Sequence, residues 1–172
     1  ARSEQEAATR ELTSQWRSVF ETTYTRSRAL AQPSFVGWND SYSDRPIPEE
    51  EMRCWLDTTI ERLDALRPRH VLEIGCGVGL ILQRLAPRTE TYVGTDLSLR
   101  ALDGLRAWAR EQHRLGHVEL FHCEATNWSV LSERRFDTVI LNSVVQYFPH
   151  AVYLVEVLTN ALERLNDEAG DP

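Results

Sequence analysis

An α/β fold built on a parallel sheet is predicted by three features of this sequence. Short apolar runs alternate with amphipathic stretches from about residue 70 onward. The first run, residues 70–74, leads directly into glycines at positions 75, 77 and 79, and the second run ends in an acid, Asp96. Strand and helix in alternation imply parallel strands joined by crossover helices on both faces of the sheet. A glycine turn after one strand and a carboxylate after the next place both at the carboxyl ends of neighbouring strands, where open α/β sheets hold ligands.

Taken in order, residues 4–30 read as a surface helix with a weak apolar stripe through Leu12, Trp16, Val19 and Phe20. Residues 33–48 are irregular and rich in Trp, Tyr, Asn, Asp and Ser. Pro48 suits a helix start, and Glu49, Glu50 and Glu51 follow it in the first turn, where the helix dipole favours acids. Met52, Trp55, Leu56, Thr59, Ile60, Leu63 and Leu66 recur at helical steps, so one face is expected to be buried until Pro68 ends the helix. A strand over 70–74, a helix over 79–86 and a strand over 91–95 come next. Ser98 is the expected cap of a helix over 98–113 carrying Leu99, Leu102, Leu105 and Trp108. A strand at 117–122, a helical turn near 128–133, a strand at 136–141 and a helix at 151–165 complete the pattern. The fourth strand, with Phe136, Val139, Ile140 and Leu141, is apolar on both faces as a central parallel strand is. The organisation expected is a helical segment at 1–68, an α/β core at 69–166 and an acidic linker tail at 167–172.

The composition sets limits on function. At 172 residues, 42% apolar and 26% charged, the chain fits one globular domain with room for a core. Its net charge of −7 argues against a nucleic-acid partner. No apolar stretch approaches the roughly 18 residues of a membrane span, and the first thirty residues are too polar for a signal peptide. The absence of an initial methionine suggests a piece of a longer polypeptide. All 19 basic residues are Arg, scattered rather than clustered. Cys54, Cys76 and Cys123 are an odd number without a C-x-x-C spacing, which points away from disulfides and zinc and towards a cytoplasmic setting. His113, His117, His122 and Cys123 lie close in sequence, but Gly116 and strand alternation separate them, so no metal site is expected.

The glycine turn carries the chemistry. Glycines let a ligand approach the backbone, the helix that follows can offer free N–H groups, and a carboxylate at Asp96 can take both hydroxyls of a ribose. The spacing is G-x-G-x-G, not the G-x-G-x-x-G of dinucleotide sites, and Glu73 stands two residues before the first glycine. This form resembles motif I of the S-adenosylmethionine-dependent methyltransferases, whose cofactor has no pyrophosphate to cradle. The resemblance sharpens at VGWNDSYSDRPIPEEEMRCWL, VLEIGCGVGLILQRLAP, YVGTDLS and FDTVILNSVVQYFPHAVYLVEVL. These stretches are similar, in order and spacing, to the N-methyltransferase domains of nonribosomal peptide synthetases.

What the resemblance implies is a Rossmann-like class I methyltransferase sheet, its N-terminal half only, with about four parallel strands, flanking helices and an N-terminal helical lid. Trp38, Asn39 and Tyr42 would fold over the methionyl end of S-adenosylmethionine, Trp38 serving equally well as a packing aromatic. Gly75, Cys76 and Gly77 would meet that end through their backbone, with Glu73 and Gly79 as the other motif residues. Asp96 would bind the ribose, Leu97 the adenine face, and Glu124, Ala125 and Thr126 the adenine edge. Asn142 and Ser143 would sit beside the sulfonium. Asn142 and Tyr147 are the candidate catalytic residues, near Gln146, with packing as the alternative role for Tyr147.

In such domains the acceptor is an amino group on an aminoacyl thioester, delivered by a carrier protein's phosphopantetheine arm, and neighbouring synthetase domains are the other partners. Against the seven-stranded family sheet the chain reads as truncated after strand four. The truncated chain alone is therefore expected not to methylate a carrier-bound substrate, and its bare fourth strand is expected to support a homodimer, or tight docking on a neighbouring domain, with residues 136–165 at the contact. The competing expectation is a non-catalytic pseudo-methyltransferase serving as a structural or dimerising module, within a peptide or hybrid polyketide synthetase.

Overall fold

Four of these apolar runs pair into one sheet in the computed structural model, which describes residues 2–25, 35, 37–40, 42–43, 45–112, 115–131 and 133–165. The strands are β1 (His70–Ile74), β2 (Thr91–Asp96), β3 (Val118–His122) and β4 (Thr138–Leu141), and the flanking helices are α1 (Arg2–Thr25), α2 (Glu49–Asp64), α3 (Leu82–Leu85), α4 (Leu99–Glu111) and α5 (Ala151–Arg164). All strand pairs are parallel, in the order β3-β2-β1-β4. The chain winds outward from β1 through β2 to β3, then returns to lay β4 on the opposite side of β1. That reversal opens a crevice at the carboxyl ends of β1 and β4.

Strand alternation divides the core in two. Val71 and Tyr92 point to one face and pack with Leu56 and Ile60 of α2 and Leu102 and Leu105 of α4. Leu72, Ile74 and Val93 point to the other and pack with Phe136 and with Tyr153 and Val157 of α5. Val71, Leu72 and Val157 are wholly excluded from solvent. Burial on that scale stabilises by about 1.5–3 kcal/mol per side chain. As expected, Ser98 caps α4, its side chain accepting from the Ala101 N–H at 3.2 Å.

Several boundaries differ from expectation, each for a local reason. The third helix begins at Leu82 instead of residue 79, because Gly77 and Gly79 hold positive φ and cannot be helical; a 3-10 turn at Ala86–Arg88 follows it. α2 stops at Asp64, so Leu66 lies past its end and is exposed, and Leu99 at the start of α4 also faces solvent. The first helix is described only to Thr25, and residue 113 and residues 166–172 lie outside the described residues. Phe136 stands before β4 and bridges Leu165 in parallel, its N–H donating to the Arg164 carbonyl at 2.9 Å. The chain leaving α5 therefore pairs at the foot of the β4 edge, which was expected to be bare. Val139 and Leu141 are only half-buried, whereas Thr138 and Ile140 on the other face are buried, so β4 is less symmetric than its sequence suggests.

Gly79 shows why a glycine stands at the end of the turn. Its φ is +78°, and a Cβ there would lie 2.3 Å from the Leu105 Cδ2 of α4. Gly79→Ala is expected to destabilise the fold by about 2–4 kcal/mol in urea unfolding, through overpacking and backbone strain together. Gly116→Ala, with nothing within 4 Å of the added carbon, should change stability by less than about 0.5 kcal/mol.

Candidate functional site

The crevice holds a cleft of about 690 Å³, walled by the glycine turn, the ends of β2, β3 and β4, and α1. That volume suits a ligand the size of a nucleoside conjugate. The floor is the turn after β1. Gly75 has φ +74°, and a Cβ on it would come within 2.5 Å of Val144 Cγ2, so the loops after β1 and β4 touch only because no side chain intervenes.

The N–H groups of this turn are already committed. Thr95 C=O accepts from Gly75 N–H at 2.8 Å and from Cys76 N–H at 3.0 Å, and Cys76 C=O accepts from Gly79 N–H at 2.8 Å. Gly77 N–H donates to Asp96 Oδ2 at 2.7 Å. The helix after the turn was expected to offer free N–H groups to polar or anionic ligand atoms; the turn's own N–H groups at Gly75, Cys76 and Gly77 are bonded within the protein. Among the described residues no hydrogen bond reaches the carbonyl oxygens of Gly75 and Gly77, which are left as acceptors suited to a cationic donor.

Two carboxylates line the cleft, and no Arg, Lys or His does among the described residues. Glu73 is 4% exposed. Its Oε2 accepts from the Tyr92 hydroxyl at 2.7 Å across the strands. Burial pushes its pKa up to about 8, the Tyr92 hydrogen bond opposes the shift and Asp96 adds to it. Asp96 is half-buried, with Oδ1 accepting from Ser98 N–H at 2.8 Å and Oδ2 from Gly77 N–H. Its pKa is also raised by burial, against the pull of these two bonds and of His122.

The opposite wall is aromatic and comes from α1. Trp16 stacks on Phe20, with ring centroids 5.9 Å apart, and Phe20 on Tyr24 at 6.1 Å. Tyr147, in the 3-10 turn after β4, meets Trp16 and Phe20 edge-on at 4.7 and 5.1 Å. Polar contacts hold α1 in place. His150 Nδ1 accepts from Tyr153 N–H, so Nε2 carries the ring proton and donates to Thr9 Oγ1 at 3.1 Å. Arg17 pairs with Glu124 at 3.6 Å, and Glu21 accepts from the Arg100 N–H at 3.4 Å. The sequence showed this helix as a surface element. Its aromatic residues at 16, 20 and 24 recur at four-residue steps, a signal that marks the inward line better than Val19, which is 49% exposed.

The structure brings most, but not all, of the expected site residues together. Trp38, Asn39, Glu73, Gly75, Cys76, Gly77, Asp96, Leu97, Ala125, Asn142, Ser143, Gln146 and Tyr147 line the cleft. Tyr42 does not: Asp40 Oδ1 accepts from the N–H groups of Tyr42 and Ser43, forming a turn whose tip leaves Tyr42 fully exposed. Glu124 turns to Arg17, Thr126 to the Tyr153 hydroxyl, and Gly79 to Leu105, so none of these three lines the cleft. Cys123 is a lining residue that the sequence did not single out for this role. Ser143 adopts a left-handed φ of +53°, and Gln146 Nε2 donates to its carbonyl at 2.9 Å. A strained non-glycine backbone at the mouth of a cleft is the kind of feature that function retains.

Comparison with known proteins agrees with this geometry. A family described as "Methyltransferase domain" matches residues 72–170. The chain is 40% identical over 164 residues to the chondramide synthase of Chondromyces crocatus, covering 94% of this chain and 4% of that protein. It is 40% identical over 157 residues to the beauvericin nonribosomal cyclodepsipeptide synthetase of Beauveria bassiana, covering 87% of this chain and 5% of that protein. The chain thus spans a small fraction of the length of these relatives. In fold it is similar to the magnesium protoporphyrin IX methyltransferase of Synechocystis, solved with S-adenosylmethionine bound, at a TM-score of 0.65 and 18% identity, over 90% of this chain and 72% of that one.

The buried acid gives a pH signature. Because the folded pKa of Glu73 lies above its ordinary value of 4.5, the folded state binds more protons than the unfolded one between about pH 4.5 and 8. Stability contributed by this group is complete below that window and is lost as pH rises through it. We expect the unfolding free energy to fall by on the order of 2–4 kcal/mol from pH 5 to pH 8 relative to Glu73→Gln. The difference should be read from urea unfolding of both proteins across that range. Parallel pH profiles would show that Glu73 does not titrate there.

Proposed function

We propose the function from one premise: this chain belongs to the methyltransferase domain family. In this reading the cleft binds S-adenosylmethionine. The domain works within a nonribosomal peptide synthetase and N-methylates an aminoacyl group held as a thioester on a carrier protein's phosphopantetheine arm. The observation that carries it is the acidic lining of the cleft, where Asp96 and Glu73 stand with no basic side chain beside them among the described residues, Glu73 keeping its proton near neutral pH until a cation draws it into its charged form. A ligand with a sulfonium and an ammonium suits such walls, whereas an anionic nucleotide is repelled. The synthetase relatives support the setting, with neighbouring synthetase domains as partners.

Bound there, S-adenosylmethionine supplies an electrophilic methyl group on a sulfur that leaves as a neutral thioether. Asp96 accepts the ribose hydroxyls on lone pairs that its bonds to Gly77 and Ser98 leave open. Leu97 and Ala125 flank the adenine. Glu73 and the carbonyls of the glycine turn face the ammonium. Asn142 and Ser143, in the cleft lining after β4, would stand beside the sulfonium and help align the acceptor amine with the methyl group, and alignment of this kind is a large part of the rate. Tyr147, packed against Trp16 and Phe20, positions the acceptor side chain, and the proton shed by the amine leaves to water at the mouth.

Calorimetry with S-adenosylmethionine tests the cofactor, and mass spectrometry of an aminoacyl-loaded carrier protein tests the transfer. Asp96→Ala should weaken binding by about 1.5–3 kcal/mol, roughly 10- to 150-fold, through loss of charge-assisted hydrogen bonds. Within its parent synthetase the wild-type domain should add the mass of one methylene to the carrier-bound residue. Wild-type protein that binds no cofactor contradicts the reading. Binding unchanged in Asp96→Ala removes that residue from the site.

One observation favours a second reading, a non-catalytic module that joins synthetase domains or copies of this chain. Val152, Val155 and Leu162 of α5 are 64%, 60% and 69% exposed and follow one outward face of that helix. Apolar stripes of this kind mark contact surfaces. Light scattering of the isolated protein should then give a dimer that Val155→Glu converts to monomer; a monomer at high concentration would leave self-association without support.

A further inference from the structure

We propose that Tyr24 of α1 is a binding residue for the carboxylate of the amino-acid end of the ligand, tying the N-terminal helix to the glycine turn when the site is filled. The inference rests on the cofactor reading above and names a residue of that site which the motif does not contain.

A ligand with an amino-acid end brings an ammonium and a carboxylate together, and the two need opposite partners. The acceptors are in place at Glu73 and at the turn carbonyls. The donors are scarce. No cationic side chain lines the cleft among the described residues, and the N–H groups of Gly75, Cys76 and Gly77 are all bonded to Thr95 or Asp96. A carboxylate placed against Gly75, Cys76 and Gly77 therefore needs a donor from outside these three residues, and a side chain arriving from another element can supply it.

Tyr24 is in that position. Its hydroxyl lies 3.3 Å from the point where a Cβ on Gly77 would sit, so the phenol reaches the turn and a side chain there would crowd it. Its ring is fixed by stacking on Phe20, with an interplanar angle of 13°. The hydroxyl lines the cleft and forms no hydrogen bond to any described residue. Burial, with Asp96, Cys76 and Tyr147 nearby, pushes its pKa up, so the phenol keeps its proton and can only serve an anion as a donor. A hydrogen bond from a hydroxyl to a carboxylate is short and stronger than a neutral one.

The test compares two probes on wild type and Tyr24→Phe, which keeps the stacked ring and removes only the hydroxyl. S-adenosylhomocysteine carries the amino-acid end; 5′-methylthioadenosine has the same nucleoside and thioether without it. Calorimetry should show S-adenosylhomocysteine weakened roughly 10- to 100-fold by the substitution, and methylthioadenosine changed by less than about twofold. Hydrogen exchange across α1 should slow when wild type binds S-adenosylhomocysteine, and should slow much less with methylthioadenosine. Equal losses for the two probes would make Tyr24 a structural residue, and no loss for either would remove it from the site; both outcomes overturn the proposal while leaving the cofactor reading intact. Failure of wild type to bind either probe would overturn the cofactor reading and this one with it.

Discussion

The arrangement on which the site depends is the stitching of the glycine turn to the end of β2. One carbonyl, Thr95, takes two N–H groups from Gly75 and Cys76, and one carboxylate, Asp96, takes a third from Gly77. These bonds curl the chain back over the sheet, turn its donors inward and leave carbonyl oxygens for a ligand. The positive φ values at Gly75, Gly77 and Gly79 follow from the same curl. So do the close approaches: each glycine meets a different element, β4's loop at Val144, α1 at Tyr24 and α4 at Leu105. The turn is thus a junction for three elements as well as a ligand cradle. A substitution in it acts on folding and binding together.

Electrostatics follow from that geometry. Two carboxylates are held close together in low dielectric without a basic side chain in the cleft wall, and burial raises the pKa of both. Such an arrangement is costly to an empty protein and is relieved by a cationic ligand, which is how binding sites commonly differ from cores. Tyr92 limits the cost by donating to Glu73. The helix that closes the cleft is held by exchangeable polar contacts, Thr9 with His150 and Arg17 with Glu124, together with one aromatic cluster.

What the sequence made legible was local and periodic. The strand order of events, the glycine turn, Asp96, the Ser98 cap and the residues after β4 all follow from patterns of a few adjacent positions, and the structure places them as such patterns predict. What it hid was the destination of side chains whose partners lie far along the chain. Tyr42, Glu124 and Thr126 sit next to lining residues but are drawn elsewhere by Asp40, Arg17 and Tyr153. Trp16 and Phe20 were visible as part of a weak apolar stripe, but that they and Tyr24 wall a cleft depends on Tyr147, more than a hundred residues later, packing against them. The commitment of the turn's N–H groups was equally hidden, since it depends on the register of β1 against β2.

If the turn presents acceptors, the ammonium of the ligand, and not its carboxylate, should meet Gly75, Gly77 and Glu73. A crystal structure of the domain with S-adenosylhomocysteine tests it most directly. The amino nitrogen is expected within hydrogen-bond distance of a turn carbonyl on the Glu73 side, and the ribose hydroxyls on Asp96. A carboxylate bonded to the N–H groups of Gly75 and Gly77, with those groups released from Thr95 and Asp96, would contradict it.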